Sequence, residues 1–243
     1  MNKNGNTRML KFDLFKTARH ATTAVLMAGF IAVLPLDAKA ANEFIKDDGE
    51  IASLNAFVGS DVGEVTRARG NIVGMLRNAP RTLHQGSDVK FLDTILTGEN
   101  TRAEIVLKDD SQIFVGDHSE LTIDEMIYEP GKKGSGVLTL TKGVFRMISG
   151  KVNKSNGGTL VMNTPIATIG VRGTDFWGLQ EEDKLTMALI DDGIVEITGP
   201  DGVTVTLDTP LQAVVLERGK PTPAKPFNLT PAQLAEAAKT ITY

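Results

Sequence analysis

The chain has 243 residues, 41% hydrophobic and 23% charged, which is ordinary for a globular protein and enough for one large core or two small ones. It contains no cysteine, so disulfides, thiolate metal sites and thiol nucleophiles are excluded, and it has only three histidines. The formal charge is -4, and beyond the first forty residues 20 basic side chains face 28 acidic ones, a balance that repels phosphate backbones and argues against a nucleic-acid partner.

Residues 1–40 read as a secretory signal peptide. A basic stretch ends at Arg19, an apolar run extends from Ala24 to Leu34, and Pro35 precedes the small-residue site Ala38-Lys39-Ala40. The uncharged segment from Ala21 to Leu36 is shorter than the ~20 apolar residues a membrane-crossing helix needs. Cleavage after Ala40 is therefore expected, with a periplasmic or extracellular product and no stable membrane insertion afterwards. No cysteine follows the apolar run, so a lipid anchor is not expected.

Residues 41–59 are polar or weakly apolar, with Asp47-Asp48-Gly49, and read as a flexible lead-in. From residue 60 to 220 the pattern is short strands of period two. Ala103, Ile105 and Leu107 share one face; Ile113 and Val115 repeat the rhythm, then Leu121 and Ile123. Further runs lie at 137–140, 144–147 and 160–162, at Leu185, Met187 and Leu189, and at Val203, Val205 and Leu207. Asp191-Asp192-Gly193 and Gly199-Pro200-Asp201-Gly202 are strong hairpin signals, because Asp-Gly supplies the positive φ a tight turn needs. Asp109-Asp110-Ser111 and Gly131-Lys132-Lys133-Gly134 are weaker ones. The expected fold is all-β, a single β-sandwich or irregular β-solenoid of short strands without helical connectors. Residues 221–243 form a stiff linker, with Pro221, Pro223 and Pro226, and then a short helix capped by Thr230 with Pro231 at its first position.

The most distinctive stretch is Asn163-Thr164-Pro165-Ile166-Ala167-Thr168-Ile169-Gly170-Val171-Arg172-Gly173-Thr174-Asp175-Phe176. Thr164-Pro165 sets an extended entry. Gly170 and Gly173 permit close backbone approach or positive φ. Arg172 and Asp175 are three apart, and the preferred reading is a partly buried pair across a bend; the alternative makes Arg172 a clamp for a carboxylate ligand. If Phe176 faces the core, period two turns Trp177 outward, either as a platform for a sugar or peptide or beneath a neighbouring strand or the terminal helix.

This stretch resembles the signature of FecR-type domains of exported bacterial proteins. Other blocks follow in the family's order: Val62-Gly63-Glu64-Val65, then Ile95-Leu96-Thr97 with Arg102 to Ser111, then Lys142-Gly143-Val144-Phe145, and finally Asp192 to Ile197. Two positions depart from the pattern. Asp110 and Leu92 stand where the family usually has glycine. The resemblance implies an exported β domain, best known as the periplasmic part of regulators of iron-uptake sigma factors. Those regulators also carry an anti-sigma segment and a transmembrane helix, which are not expected here, so the free-standing form is the one implied.

Catalytic chemistry finds little support in the residues. His84 and His118 fall in polar loops, outside any nucleophile-elbow pattern, and the acidic clusters match no EF-hand spacing. No phosphate-binding or dinucleotide-binding glycine pattern is present. The expectation is no catalytic residue, no metal and no cofactor. Thr164, Pro165, Gly170, Arg172, Gly173, Thr174 and Asp175 form a structural signature, and Arg172, Phe176 and Trp177 a candidate partner surface. The leading function is a non-catalytic module that binds an envelope protein or glycan. A periplasmic signalling regulator and an envelope-polymer hydrolase are the alternatives.

Overall fold

The computed structural model describes residues 58–152, 157–223 and 225–243. The expected signal peptide and nearly all of the lead-in lie outside these residues. The described ones fall in one compact unit, Ala52–Tyr243. No helix among them is long and apolar enough to cross a membrane.

Seventeen strands and one helix make up the described chain, so the all-β expectation with one C-terminal helix holds. The strands divide between two sheets. Sheet I runs in the order β4 (Asp88–Lys90), β1 (Asp61–Arg69), β6 (Arg102–Leu107), β7 (Gln112–Val115), β9 (Ser135–Ile148), β12 (Asp175–Gln180), β13 (Lys184–Leu189), β16 (Gln212–Glu217), β17 (Phe227–Asn228). Sheet II runs β3 (Ala79–Leu83), β2 (Ile72–Leu76), β5 (Thr94–Thr97), β8 (Glu120–Ile127), β9 again, β10 (Thr159–Asn163), β11 (Thr168–Arg172), β14 (Ile194–Thr198), β15 (Thr204–Leu207). All pairings are antiparallel except β9 with β10.

Alternation puts every second side chain between the sheets. Ile105, Ile113, Phe145, Met147, Phe176 and Met187 from sheet I meet Ile95, Leu121, Leu138, Met162, Ile169 and Ile197 from sheet II in one cluster. Phe145 and Phe176 pack edge to face, with ring centroids 5.4 Å apart. The fold is thus an open two-layer sandwich, not a closed barrel. Its strands are laid down along both sheets nearly in chain order, as in a solenoid.

The runs at 137–140 and 144–147, expected as separate strands, are one strand of 14 residues. The first part of β9 pairs with β8 and β10 in sheet II; from Gly143 onward it pairs with β12, and from Phe145 with β7, in sheet I. Gly143, at φ +94°, lets the chain bend between layers without leaving the ladder. Gly199 to Gly202 does close a hairpin, between β14 and β15. Asp191-Asp192-Gly193 does not: it carries the chain from β13 in sheet I to β14 in sheet II, because β13 takes β16 as its next neighbour instead.

The helix α1 (Pro231–Lys239) has the expected start. Thr230 Oγ1 accepts from the Gln233 N–H, and the Gln233 side chain accepts from the Thr230 N–H in return, which completes a capping box. The preceding proline segment returns to the domain. Phe227 pairs with Ala213 as a short edge strand, and α1 packs on the outer face of sheet I.

Candidate partner-binding surface

The signature spans a turn, a strand, a crossing and a second strand. Thr164 Oγ1 accepts from the N–H groups of Ile166 and Ala167 (3.2 and 2.9 Å), closing the turn between β10 and β11. β11 lies in sheet II and β12 in sheet I, so Gly173-Thr174 is the step between layers. Gly173 takes it at φ +56°. Thr174 is buried, and its N–H donates to Ser149 Oγ at 2.8 Å, while Ser149 N–H and Oγ–H both donate to the Thr174 carbonyl at 3.0 Å. Thr174 Oγ1 also donates to the Asp191 carbonyl at 3.3 Å.

These bonds continue along the same side of the sandwich. The Gly150 N–H donates to Ser111 Oγ at 2.8 Å. Asp109, fully buried, accepts from Ser111 N–H (3.0 Å), Ser111 Oγ–H (2.8 Å) and Val152 N–H (3.1 Å). At the other end Gly193, at φ +135°, sits so close to Gly173-Thr174 that a Cβ would lie 2.5 Å from the Gly173 carbonyl oxygen. The blocks around 109–111, 149–150, 172–175 and 191–193 therefore form one hydrogen-bonded spine over the layer crossings. Buried polar groups are satisfied there by partners, which is the ordinary requirement for a stable turn stack.

Asp175 and Arg172 do not pair. Asp175 accepts two hydrogen bonds from Arg146 on β9, one of them Nε to Oδ1 at 2.8 Å, and this carboxylate contact holds the Arg146 guanidinium above its ordinary pKa. Arg172 lies before the crossing and faces out of sheet II. Its side chain is 73% exposed, and its Nη2 lies 3.5 Å from Glu196 Oε2. Gly170 needs neither close approach nor positive φ: a Cβ there would meet nothing nearer than 3.9 Å.

The surface expected from Arg172, Phe176 and Trp177 is not assembled. Phe176 is fully buried between the sheets. Trp177 does turn outward, but it is only 7% exposed, because α1 covers it with Ala237 and Ile241. Its Nε1–H donates to Thr240 Oγ1 at 3.1 Å. Arg102 fixes the end of α1 by donating from Nη2 to the Lys239 carbonyl at 3.1 Å, and Tyr243 Oη donates to the Arg67 carbonyl at 2.9 Å. Arg172 thus belongs to one outer face and Trp177 to the other.

Open depressions lie among the described residues. One, of about 260 Å³, lies beside the end of α1 and is lined by Arg67, Phe114, Arg146, Ile241, Thr242 and Tyr243, with the Arg67 guanidinium 4.0 Å from the Tyr243 ring centroid. Another, of about 310 Å³, is lined by Ser149, Gly173, Thr174, Asp175, Asp191 and Asp192 over the spine. His84 and His118 lie between strands, as expected, and His118 takes φ +50°. Among the described residues no group of three or more metal-ligating side chains comes together.

The two departures from the family pattern have a structural reading. Leu92 and Asp110 both take positive φ, +66° each, which glycine adopts without strain. Asp93 beside Leu92 is fully buried and held by both Arg81 nitrogens, Nη1 at 2.6 Å, and by the Lys90 N–H at 2.7 Å.

Residues 93–196 match the family model described as FecR protein. No curated protein matches the chain. Two crystal structures, each of a proposed anti-sigma factor from Parabacteroides distasonis, align at 14% identity with TM-scores of 0.48 and 0.47. The alignments cover 60% and 58% of this chain and 63% and 62% of the solved ones, so it spans less than two thirds of either.

Proposed function

We propose that the protein, whose residues 93–196 match the FecR family model, is exported and works outside the cytoplasm as a non-catalytic module that binds an envelope protein or glycan. The observation that carries this reading is the use to which the signature is put. Thr164, Thr174 and Asp175 direct their polar atoms to a turn, to Ser149 and to Arg146. A reacting group needs a free lone pair or proton aimed at substrate, and these groups are engaged with partners inside the domain. A domain whose most distinctive residues serve its own folding acts through its outer surfaces.

The FecR match favours a second reading, a signalling regulator whose contacts alter transcription. One set of measurements separates the three classes. In the binding reading, the exported protein begins at Ala41 by mass spectrometry, retains a defined envelope component on a column and turns over no peptidoglycan, glycan or ester. Deletion that changes expression of a co-regulated operon would favour the regulator. Turnover that disappears when one Asp or Glu is replaced would overturn both in favour of a hydrolase.

A further inference from the structure

Every open sheet has lateral edges, and unpaired edge groups accept strands from other chains unless something blunts them. Among the described residues the outermost strands are β4 and β17 in sheet I, where β17 pairs with Gln212 and Ala213 alone of β16, and β3 and β15 in sheet II. β4 has three residues and β17 two, too short to template a strand. β3 carries Pro80. The two-residue turn Arg77-Asn78, with φ of +49° and +62°, makes Leu76 and Ala79 the closing hydrogen-bonded pair. The next residue, Pro80, then faces the open side, where a donor is missing.

β15 has none of these protections. It reads Thr204-Val205-Thr206-Leu207 and follows Val203, which is 45% exposed. The Gly199 N–H donates to the Val203 carbonyl at 3.0 Å, so alternation directs the Val205 and Leu207 backbone toward β14. The N–H and C=O groups of Thr204 and Thr206 then point away from the sheet, and among the described residues no further strand pairs with β15. Val205 and Leu207 are buried beneath them, which fixes the register and keeps this edge rigid.

We propose that β15 is a docking edge for an extended segment of a partner protein bearing basic residues at its ends. The charge around the edge selects the partner. Asp201 and Asp208 flank the strand, and these two carboxylates set the charge at its ends, since Glu196 opposite Thr206 on β14 already faces Arg172. Asp201 accepts from Thr222 N–H and Oγ–H, which holds its carboxyl below the ordinary range and keeps it ionised. A second copy pairing antiparallel through its own β15 would bring Asp208 of one chain toward Asp201 of the other at both ends, an unfavourable arrangement of like charges. A segment flanked by lysine or arginine meets the same carboxylates favourably, and main-chain pairing supplies the affinity.

This names the surface for the binding role proposed above and rests on it. The test uses the mature chain and two synthetic seven-residue peptides of alternating valine and threonine, one ended by lysines and one by glutamates, followed by amide hydrogen exchange. In the protein alone, the Thr204 and Thr206 amides exchange freely while those of Val205 and Leu207 are protected. The lysine-ended peptide slows Thr204 and Thr206 by at least about tenfold, and the glutamate-ended one does not. Thr206→Pro removes the outward donor and abolishes that protection. Asp208→Lys, which leaves the ladder to β14 untouched, reverses the preference between the peptides. Prior protection of Thr204 and Thr206, equal effects of both peptides, or peptide protection centred on residues 79–83 would overturn the proposal. So would a concentration-dependent dimer lost in Thr206→Pro, which gives the edge to a second copy. Envelope binding that survives Thr206→Pro and Asp208→Lys sinks the edge alone, whereas turnover with intact edge protection sinks only the binding reading.

Discussion

Replacing Gly193 by alanine tests the spine more sharply than any change to the charged signature residues. Gly193 sits at φ +135°, a backbone region that side chains rarely enter, and this alone costs on the order of 1–3 kcal/mol. The added Cβ would also lie 2.5 Å from the Gly173 carbonyl oxygen and 3.0 Å from that of Arg172, and would overlap the Thr174 side chain. Carbonyls in a hydrogen-bonded crossing do not yield like the end of a flexible side chain, so the overlap adds to the backbone strain. The expected loss is about 2–4 kcal/mol, or a fall in Tm of about 5–15 °C for a domain of this size. Gly170→Ala is the matched control. It lies mid-strand, with room for a Cβ, and alanine there should be neutral or stabilising by up to about 1 kcal/mol. Urea and thermal unfolding followed by circular dichroism give both values. Gly193→Ala within about 0.5 kcal/mol of wild type, or Gly170→Ala as damaging as Gly193→Ala, would refute the spine.

Three other changes follow from the same structure. Arg146→Ala leaves the largely buried Asp175 without its two guanidinium bonds and should cost about 1–3 kcal/mol, while Arg172→Ala should stay within about 0.5 kcal/mol in the same urea series. Asp124 is half-buried beside Thr139, and burial raises its folded-state pKa above the unfolded value of 3.8. Its charge therefore opposes folding once pH rises through the folded pKa, and that opposition is absent below the unfolded one. Asp124→Asn should accordingly match or exceed wild-type stability at pH 7, with the difference shrinking as pH falls toward that unfolded value; a variant less stable at pH 7 would contradict this. Ile241→Asp should lift α1 from Trp177, moving Trp177 emission to longer wavelength and opening it to quenchers while the strand signal in circular dichroism persists.

The elements were legible in the sequence because their signals are local. Alternation fixed which apolar residues of β6, β7, β8 and β13 are buried, and Thr230 and Pro231 together mark where α1 begins. Sheet membership was not legible, since period two looks alike in either layer. The Asp-Asp-Gly of a hairpin and that of a layer crossing share one local chemistry, and what separates them is a choice of neighbour, β16 over β14, made far along the chain. The Arg172–Asp175 pair failed for the same reason. Three residues is a short distance within one strand, but here the interval contains the step between sheets. Trp177 was correctly turned outward, with the terminal helix as one of its possible covers, but choosing that cover over an open platform depends on Ala237, Thr240 and Ile241, 60 or more positions away, and no spacing rule reaches that far. Asp175 found its partner in Arg146 on an adjacent strand, where 29 positions separate the two.

The bend at Gly143 has a consequence for how the chain is assembled as it emerges. Before residue 135 has been delivered, both growing layers end in raw borders, β7 in one and β8 in the other. A single segment then seals the two borders: Ser135 to Lys142 closes against β8, and Phe145 to Ile148 against β7. Neither the portion before β9 nor the portion after it possesses a finished core, so severing the chain between Tyr128 and Gly134 should yield fragments that remain sticky apart and complement each other when mixed. The interval between delivery of β7 and delivery of β9 is accordingly the period of greatest aggregation hazard, and the stretch from Val115 to Ser135 is where a holding chaperone would be needed most.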